Sequence, residues 1–269
     1  MHAWGWIQSH RWLCVIFLAV VIIGTAGGTA WAVFFRTVSS PVSLGEALRL
    51  YRRTANNATP GSKPRPFVSG VFGYKTTGGE SLSLLDQSRT FPTRTNMLMT
   101  AGSRDCSDVS WVPITQHTES MTVCPEGSSG SEAVTDFTTF EQISGTTTTT
   151  VVECPATTYL VPPVATPGER WSSTCQQTAP TAPGQRVRVD GVVLGSGPVQ
   201  IGAQTISTVH VRLTIHFSGP AQGTSPADFW ISTSRGLLAR EQETATIAQD
   251  GVDYTERMDS TLSSLTPLD

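Results

Sequence analysis

Two histidines and two glutamates carry side chains of the types that perform acid–base and metal chemistry. From Val209 to Phe217, Val211, Leu213, Ile215 and Phe217 alternate with His210, Arg212, Thr214 and His216, which predicts a strand with one apolar and one polar face. At about 3.3 Å per strand residue, His210 and His216 stand about 20 Å apart, too far to share one metal ion or one catalytic centre. Both read as surface or groove-lining side chains. Glu241 and Glu243 share one strand face, an arrangement open to the paired carboxylates of a glycosidase, but same-face acids are also ordinary on a solvated strand, and the pair reads as such.

Motifs that would assemble a catalytic or cofactor site are missing. Gly127-Ser128-Ser129-Gly130-Ser131 and Gly195-Ser196-Gly197 do not make the G-x-S-x-G nucleophile elbow and read as turns. No H-E-x-x-H, phosphate-binding loop or dinucleotide fingerprint is present. No catalytic residue, cofactor-binding residue or metal ligand is therefore assigned, no cofactor is expected, and an enzyme is not expected. Large aromatic residues give a stronger signal. Trp111, Trp171, Phe229 and Trp230 lie in or near β runs, and Phe229 and Trp230 point to opposite faces. They are the candidate ligand face of a curved sheet holding a lipid or another apolar molecule.

Of five cysteines, Cys14 lies in an apolar segment, leaving Cys106, Cys124, Cys154 and Cys175, an even number as disulfides require. Four cysteines allow three connectivities. Cys106 with Cys124 and Cys154 with Cys175 is favoured, because the first pair brackets two strand-like runs whose hairpin would bring its ends together. The spacing is too wide for a zinc knuckle.

The elements that must carry these residues are mainly β. One short helix is predicted over Ser43 to Ala55, with Ser43 and Glu46 in capping-box spacing, followed by a Pro- and Gly-containing linker to Pro66 with a glycosylation acceptor at Asn57-Ala58-Thr59. Beyond Phe67 come β runs separated by turn residues. Val68–Thr76 and Glu80–Leu85 flank Gly78-Gly79 as a predicted hairpin. Arg94–Thr100 follows, then Ala133–Ile143 and Thr146–Glu153, the last carrying five consecutive threonines, which suit an exposed strand face. Val187–Leu194, Val209–Phe217, Ala227–Ser232, Ala239–Ile247 and Val252–Leu262 are long, and Asp250-Gly251 is a two-residue hairpin signal. So many strands joined by short turns predict a curved antiparallel sheet, a half-barrel or barrel-like closure that protects its edges.

Trp12 to Phe35 is free of charge, and its 24 residues as a helix would extend about 36 Å, enough to cross the roughly 30 Å hydrocarbon core. It is read as one N-terminal transmembrane helix, a signal anchor. The rival is cleavage at Ala30-Trp31-Ala32; either way the remainder is exported. The expected organisation is a cytoplasmic tail (1–11), the anchor (12–35), a membrane-proximal helix and linker (36–66) and an extracytoplasmic β-rich domain (67–269) at the cell membrane. The total charge of −3 includes Arg11 and Arg36, so the part beyond Arg36 carries −5. No basic patch invites nucleic acid. Charged residues make up 14%, well below the usual fraction, and the 38 threonines nearly match them in number, a composition suited to an exported β protein.

Asp228-Phe229-Trp230-Ile231 followed by Ser234-Arg235-Gly236-Leu237-Leu238-Ala239-Arg240 resembles the strand, tight turn and strand of half-barrel lipoprotein carriers, with Leu238 where that family usually has Pro. The exported part, from Gly70-Val71-Phe72-Gly73-Tyr74-Lys75-Thr76-Thr77-Gly78-Gly79-Glu80 through Trp171 and Cys175 to Asp228-Phe229-Trp230, is similar to an uncharacterised actinobacterial membrane-anchored envelope protein family. That resemblance implies the anchor, two disulfides and a β domain, and no catalytic residues. The expected function is a membrane-tethered extracytoplasmic binding domain for a lipid or other apolar ligand. The alternative is a non-catalytic cell-envelope interaction or structural module with a packed interior. The expected partners are the membrane and a lipid or envelope component.

Overall fold

The computed structural model describes residues 39–56, 66–83, 87–103, 105–127, 130–143, 146–180 and 182–268. The predicted anchor at 12–35, Cys14, the cleavage site and most of the linker with its glycosylation acceptor lie outside the described residues. Among those described, no helix is long and apolar enough to cross a membrane.

Among the described residues one helix, α1 (Leu44–Ala55), precedes fourteen strands: β1 (Gly70–Leu82), β2 (Gln87–Thr90), β3 (Arg94–Ala101), β4 (Ser107–Ile114), β5 (His117–Glu126), β6 (Ser131–Ile143), β7 (Thr146–Glu153), β8 (Tyr159–Val161), β9 (Arg170–Ala179), β10 (Arg186–Ile201), β11 (Gln204–Ser218), β12 (Ala221–Ser232), β13 (Leu237–Gln249) and β14 (Val252–Leu262). Neighbouring strands pair antiparallel in chain order, with β2 on the outer half of β1 and β8 on β6. The last strand then pairs with the first, Tyr74 opposite Leu262 and Leu82 opposite Tyr254. Twelve strands thus close a barrel, and β2 and β8 are additions to it. The predicted curved sheet closes fully, which removes the unpaired edges that a half-barrel would leave.

Alternation decides what faces inward. In β11, Val211, Leu213 and Ile215 point to the lumen while His210, Arg212 and His216 point out, as the two-residue period requires. Outer faces are polar over β10 to β14, with Arg188 on Asp190, Arg212 on Asp228 and Arg240 on Asp259. One outer patch is apolar instead. Val71, Leu98 and Val112 project outward from β1, β3 and β4, and α1 covers them with Ala47, Leu48 and Tyr51. The helix begins as its capping spacing predicts, Ser43 Oγ accepting from the Glu46 N–H at 3.2 Å.

Both disulfides form in the favoured connectivity, Cys106–Cys124 across the β4–β5 hairpin and Cys154–Cys175 across the β7–β9 pair. The threonine tract is strand β7, with the bounds read from sequence. Asp250 and Gly251 have φ of +52° and +79°, the left-handed pair of a type I′ turn.

Two glycine segments differ from expectation. Gly78-Gly79 is no turn but the middle of β1, where β1 is flanked by β2 and β14 at once. A Cβ at Gly78 would stand 1.9 Å from the Arg257 carbonyl oxygen and one at Gly79 2.2 Å from that of Arg89. The glycines answer to close backbone approach, not to chain reversal. Likewise Gly195-Ser196-Gly197 lies inside the long strand β10, beside a bulge between Val193 and Gly195, which bends a strand without ending it.

Candidate functional site: an acidic cavity in the barrel

One end of the barrel is filled and the other is hollow. Tyr74, Met99, Val123, Ile231, Leu238 and Leu262 are completely or almost completely buried, and the Tyr74 hydroxyl donates to the Leu238 carbonyl. Toward the hairpins β6–β7, β11–β12 and β13–β14 the lumen opens into a cavity of about 480 Å³. Gln177, Pro180, Gln185, Ala221, Gln249 and Val252 form its rim. Two apolar walls face each other across it: Met97, Trp111 and Met121 from β3 to β5, and Leu213, Ile215, Phe217 and Phe229 from β11 and β12.

The walls also carry acid. Glu119, Glu141, Glu241, Glu243 and Glu256 all line the cavity. Burial pushes the carboxyls of Glu241, Glu243 and Glu256 up, and their mutual repulsion with Glu119 or Glu243 adds to it. Ser225 Oγ donates to Glu243 Oε1. Glu241 and Glu243 do share a strand face, as read from sequence, but that face is the lumen and not solvent. Alternation alone cannot tell the two faces apart when both carry polar groups.

Behind this wall lies His117, the first residue of β5, with no exposed surface. Its Nδ1 is 3.1 Å from Glu80 Oε2 and 3.9 Å from Glu141 Oε1; its Nε2 is 3.6 Å from Glu119 Oε1 and 3.8 Å from Glu256 Oε1. None of these approaches has hydrogen-bond alignment. Burial opposes a charge on the ring, but Glu256 foremost, with Glu119 and Glu80, holds its pKa well above the usual value. Burial would likewise raise Glu80, yet His117 and Arg89 hold it low. Arg89 Nη2 reaches Glu80 Oε1, and its Nη1 donates to the Gln142 carbonyl. The Tyr254 hydroxyl stands 3.0 Å from Glu80 Oε2 and 2.5 Å from Glu256 Oε2. Chemically, the wall offers protonated carboxyls that can donate hydrogen bonds, ionised ones that can accept them, and a buried imidazole among them.

The four candidate aromatic residues part company here. Trp111 and Phe229 line the cavity. Trp171 packs at its side against Gly191 and edge-on to Tyr159, ring centroids 6.3 Å apart. Trp230 is on the outer face, stacked on His210 at 4.0 Å and under the Arg240 guanidinium at 4.9 Å. The barrel therefore does not bring all four to one surface. His210 and His216 are separate, as their spacing requires, the first on Asp228 and the second on Asp190, each at 3.0 Å.

Glu80, His117, Glu119, Glu141 and Glu256 were not singled out from sequence. Their trace was there: His117 and Glu119 fall on the same strand face as Met121 and Val123, and Glu256 on that of Met258 and Leu262, charges on a core-facing stripe.

No protein family matches the chain, and no curated protein matches it. Among solved structures it is similar to the hypothetical lipoprotein YmcC of Escherichia coli, with a TM-score of 0.35 and 10% identity over 84% of this chain and 98% of that one.

Proposed function

We propose that the chain is a binding protein tethered to the membrane by residues 12–35, whose exported barrel takes an amphiphile into its lumen without transforming it. The apolar walls receive the ligand's hydrocarbon part and the carboxyl-bearing wall its polar head. The observation that carries this reading is the cavity of about 480 Å³, within the roughly 300–1,000 Å³ common for small-ligand sites, with Leu, Ile, Met, Phe and Trp side chains on two facing walls. A fully packed interior, as a purely structural envelope module would have, fits only the other half of the barrel.

The test is to purify the full chain in a mild detergent, extract it with organic solvent and analyse the extract by mass spectrometry. A species enriched at near one equivalent over a membrane-protein control is the expected result. Absence of any enriched species, together with no uptake of a fluorescent fatty-acid or alkylamine probe, overturns the proposal.

A further inference from the structure

Beside the cavity, one buried imidazole is ringed by carboxylates it does not hydrogen-bond. We propose that His117, Glu80 and Glu256 hold a divalent transition-metal ion of the zinc class in the wall of the barrel. This goes beyond the binding of an amphiphile and does not depend on it.

Each of the three residues offers a ligand atom lying within 4.8 Å of the other two. Ligands about 2.1 Å from a zinc ion stand about 3.4 Å apart at tetrahedral angles, so side-chain adjustments of at most about 1.4 Å (4.8 less 3.4) complete the set. All three are buried, at 0%, 5% and 3% exposure, and both ring nitrogens of His117 and Oε1 of Glu256 are without a hydrogen-bond partner. That is the telling point, since buried polar atoms are nearly always satisfied. The misalignment has a geometric meaning too. An ion on the ring nitrogen's lone pair puts its other ligands 3 to 4 Å from that nitrogen but off its axis. At Nε2 those are the separations His117 shows to Glu256 Oε1 and Glu119 Oε1, 3.8 and 3.6 Å; Glu80 Oε2 lies 3.1 Å from the other ring nitrogen, Nδ1, and joins the set by the side-chain adjustment just given.

The surroundings suit such an ion. The Tyr254 hydroxyl bridges Oε2 of Glu80 and Oε2 of Glu256, and Arg89 takes Glu80 Oε1, contacts of the kind that orient ligating carboxylates. Imidazole with carboxylate selects zinc and its neighbours over calcium or magnesium, which prefer oxygen alone. Glu256, Glu119 and Glu141 line the cavity, which gives an ion its way in and leaves its remaining coordination positions to water or to Glu119.

The experiment is calorimetric titration of the chelator-treated full chain with Zn²⁺, repeated with Co²⁺ to read the visible absorption of a four- or five-coordinate site. One equivalent of tight binding is expected, with a Co²⁺ spectrum that Zn²⁺ abolishes. His117→Gln and Glu256→Gln should weaken binding more than the roughly 10–100-fold typical of losing an outer contact, and Tyr254→Phe by about that range. His210→Ala with His216→Ala, on the outer face, should leave it unchanged. Should either ligand variant fail to fold by circular dichroism, the wild-type Co²⁺ spectrum decides. No stoichiometric binding by the wild type, or binding that follows His210 and His216, overturns the proposal and leaves His117 as an imidazolium held by carboxylates.

Discussion

The indole of Trp171 occupies the space where a side chain at position 191 would stand: a Cβ on Gly191 would fall 2.0 Å from Trp171 Cε2. The two residues face each other across the β9–β10 pair, so the glycine is there to admit the ring. Gly191→Ala should therefore destabilise the barrel by about 1–3 kcal/mol, the usual cost of overpacking, and Trp171→Leu in the same chain should restore most of it. Urea unfolding of the single and double variants measures both. An additive pair would show that the contact is not what matters.

Glu132, in β6, is buried, and burial pushes its carboxyl up to about 8, with Oε2 lacking a partner. The sign follows from proton counts. Its folded value lies above the unfolded one, so the native state holds the proton longer and stability falls as pH rises between about 4.5 and 8. The penalty is absent below that window and approaches about 5 kcal/mol above it, at 1.36 kcal/mol per unit. Glu132→Gln should flatten this slope and raise the melting temperature at pH 8 more than at pH 5, as thermal unfolding across that range would show.

Ala227 lies on the cavity wall of β12, between Ser225 and Phe229. Ala227→Phe should occupy lumen volume and lower the affinity for an alkyl probe by at least roughly tenfold, about 1.4 kcal/mol. The same change at the outward Thr224 should have no effect. Equal loss from both would place the probe somewhere other than the lumen.

The disulfides close segments with sequence separations of 18 and 21 residues. Loops of that length restrict the unfolded chain by about 3 kcal/mol each. Replacing Cys106 and Cys124 together by Ser should lower stability by about that amount without altering the Cys154–Cys175 pair, readable by urea unfolding and by mass mapping of the remaining bridge.

Periodicity carried the long strands well. Val252–Leu262 and Thr146–Glu153 have the bounds their residues predicted, because alternation and an Asp-Gly turn act within a few residues. The Gly78-Gly79 segment was misread because a glycine pair marks a reversal locally, whereas here its cause is the approach of Arg257 and Arg89 from distant strands. The candidate site was harder still. Glu80, His117, Glu141 and Glu256 belong to β1, β5, β6 and β14, and nothing short of barrel closure makes them neighbours. Trp230 was a candidate ligand-face residue and the barrel turns it outward, since both faces of β12 carry a large aromatic ring and the sequence does not say which is the lumen.

The pairing of β1 with β14 joins residues 74–82 to residues 254–262. Contacts this far apart in sequence are the slowest to form, and until they do, both strands present open edges that invite pairing with other chains. The seam cannot shut before residue 262 has been synthesised. A chain synthesised from its N-terminus therefore holds this side of β1 unpaired until β14 emerges, and loss of β14 alone would leave two sticky edges, those of β1 and β13, where the native barrel has none.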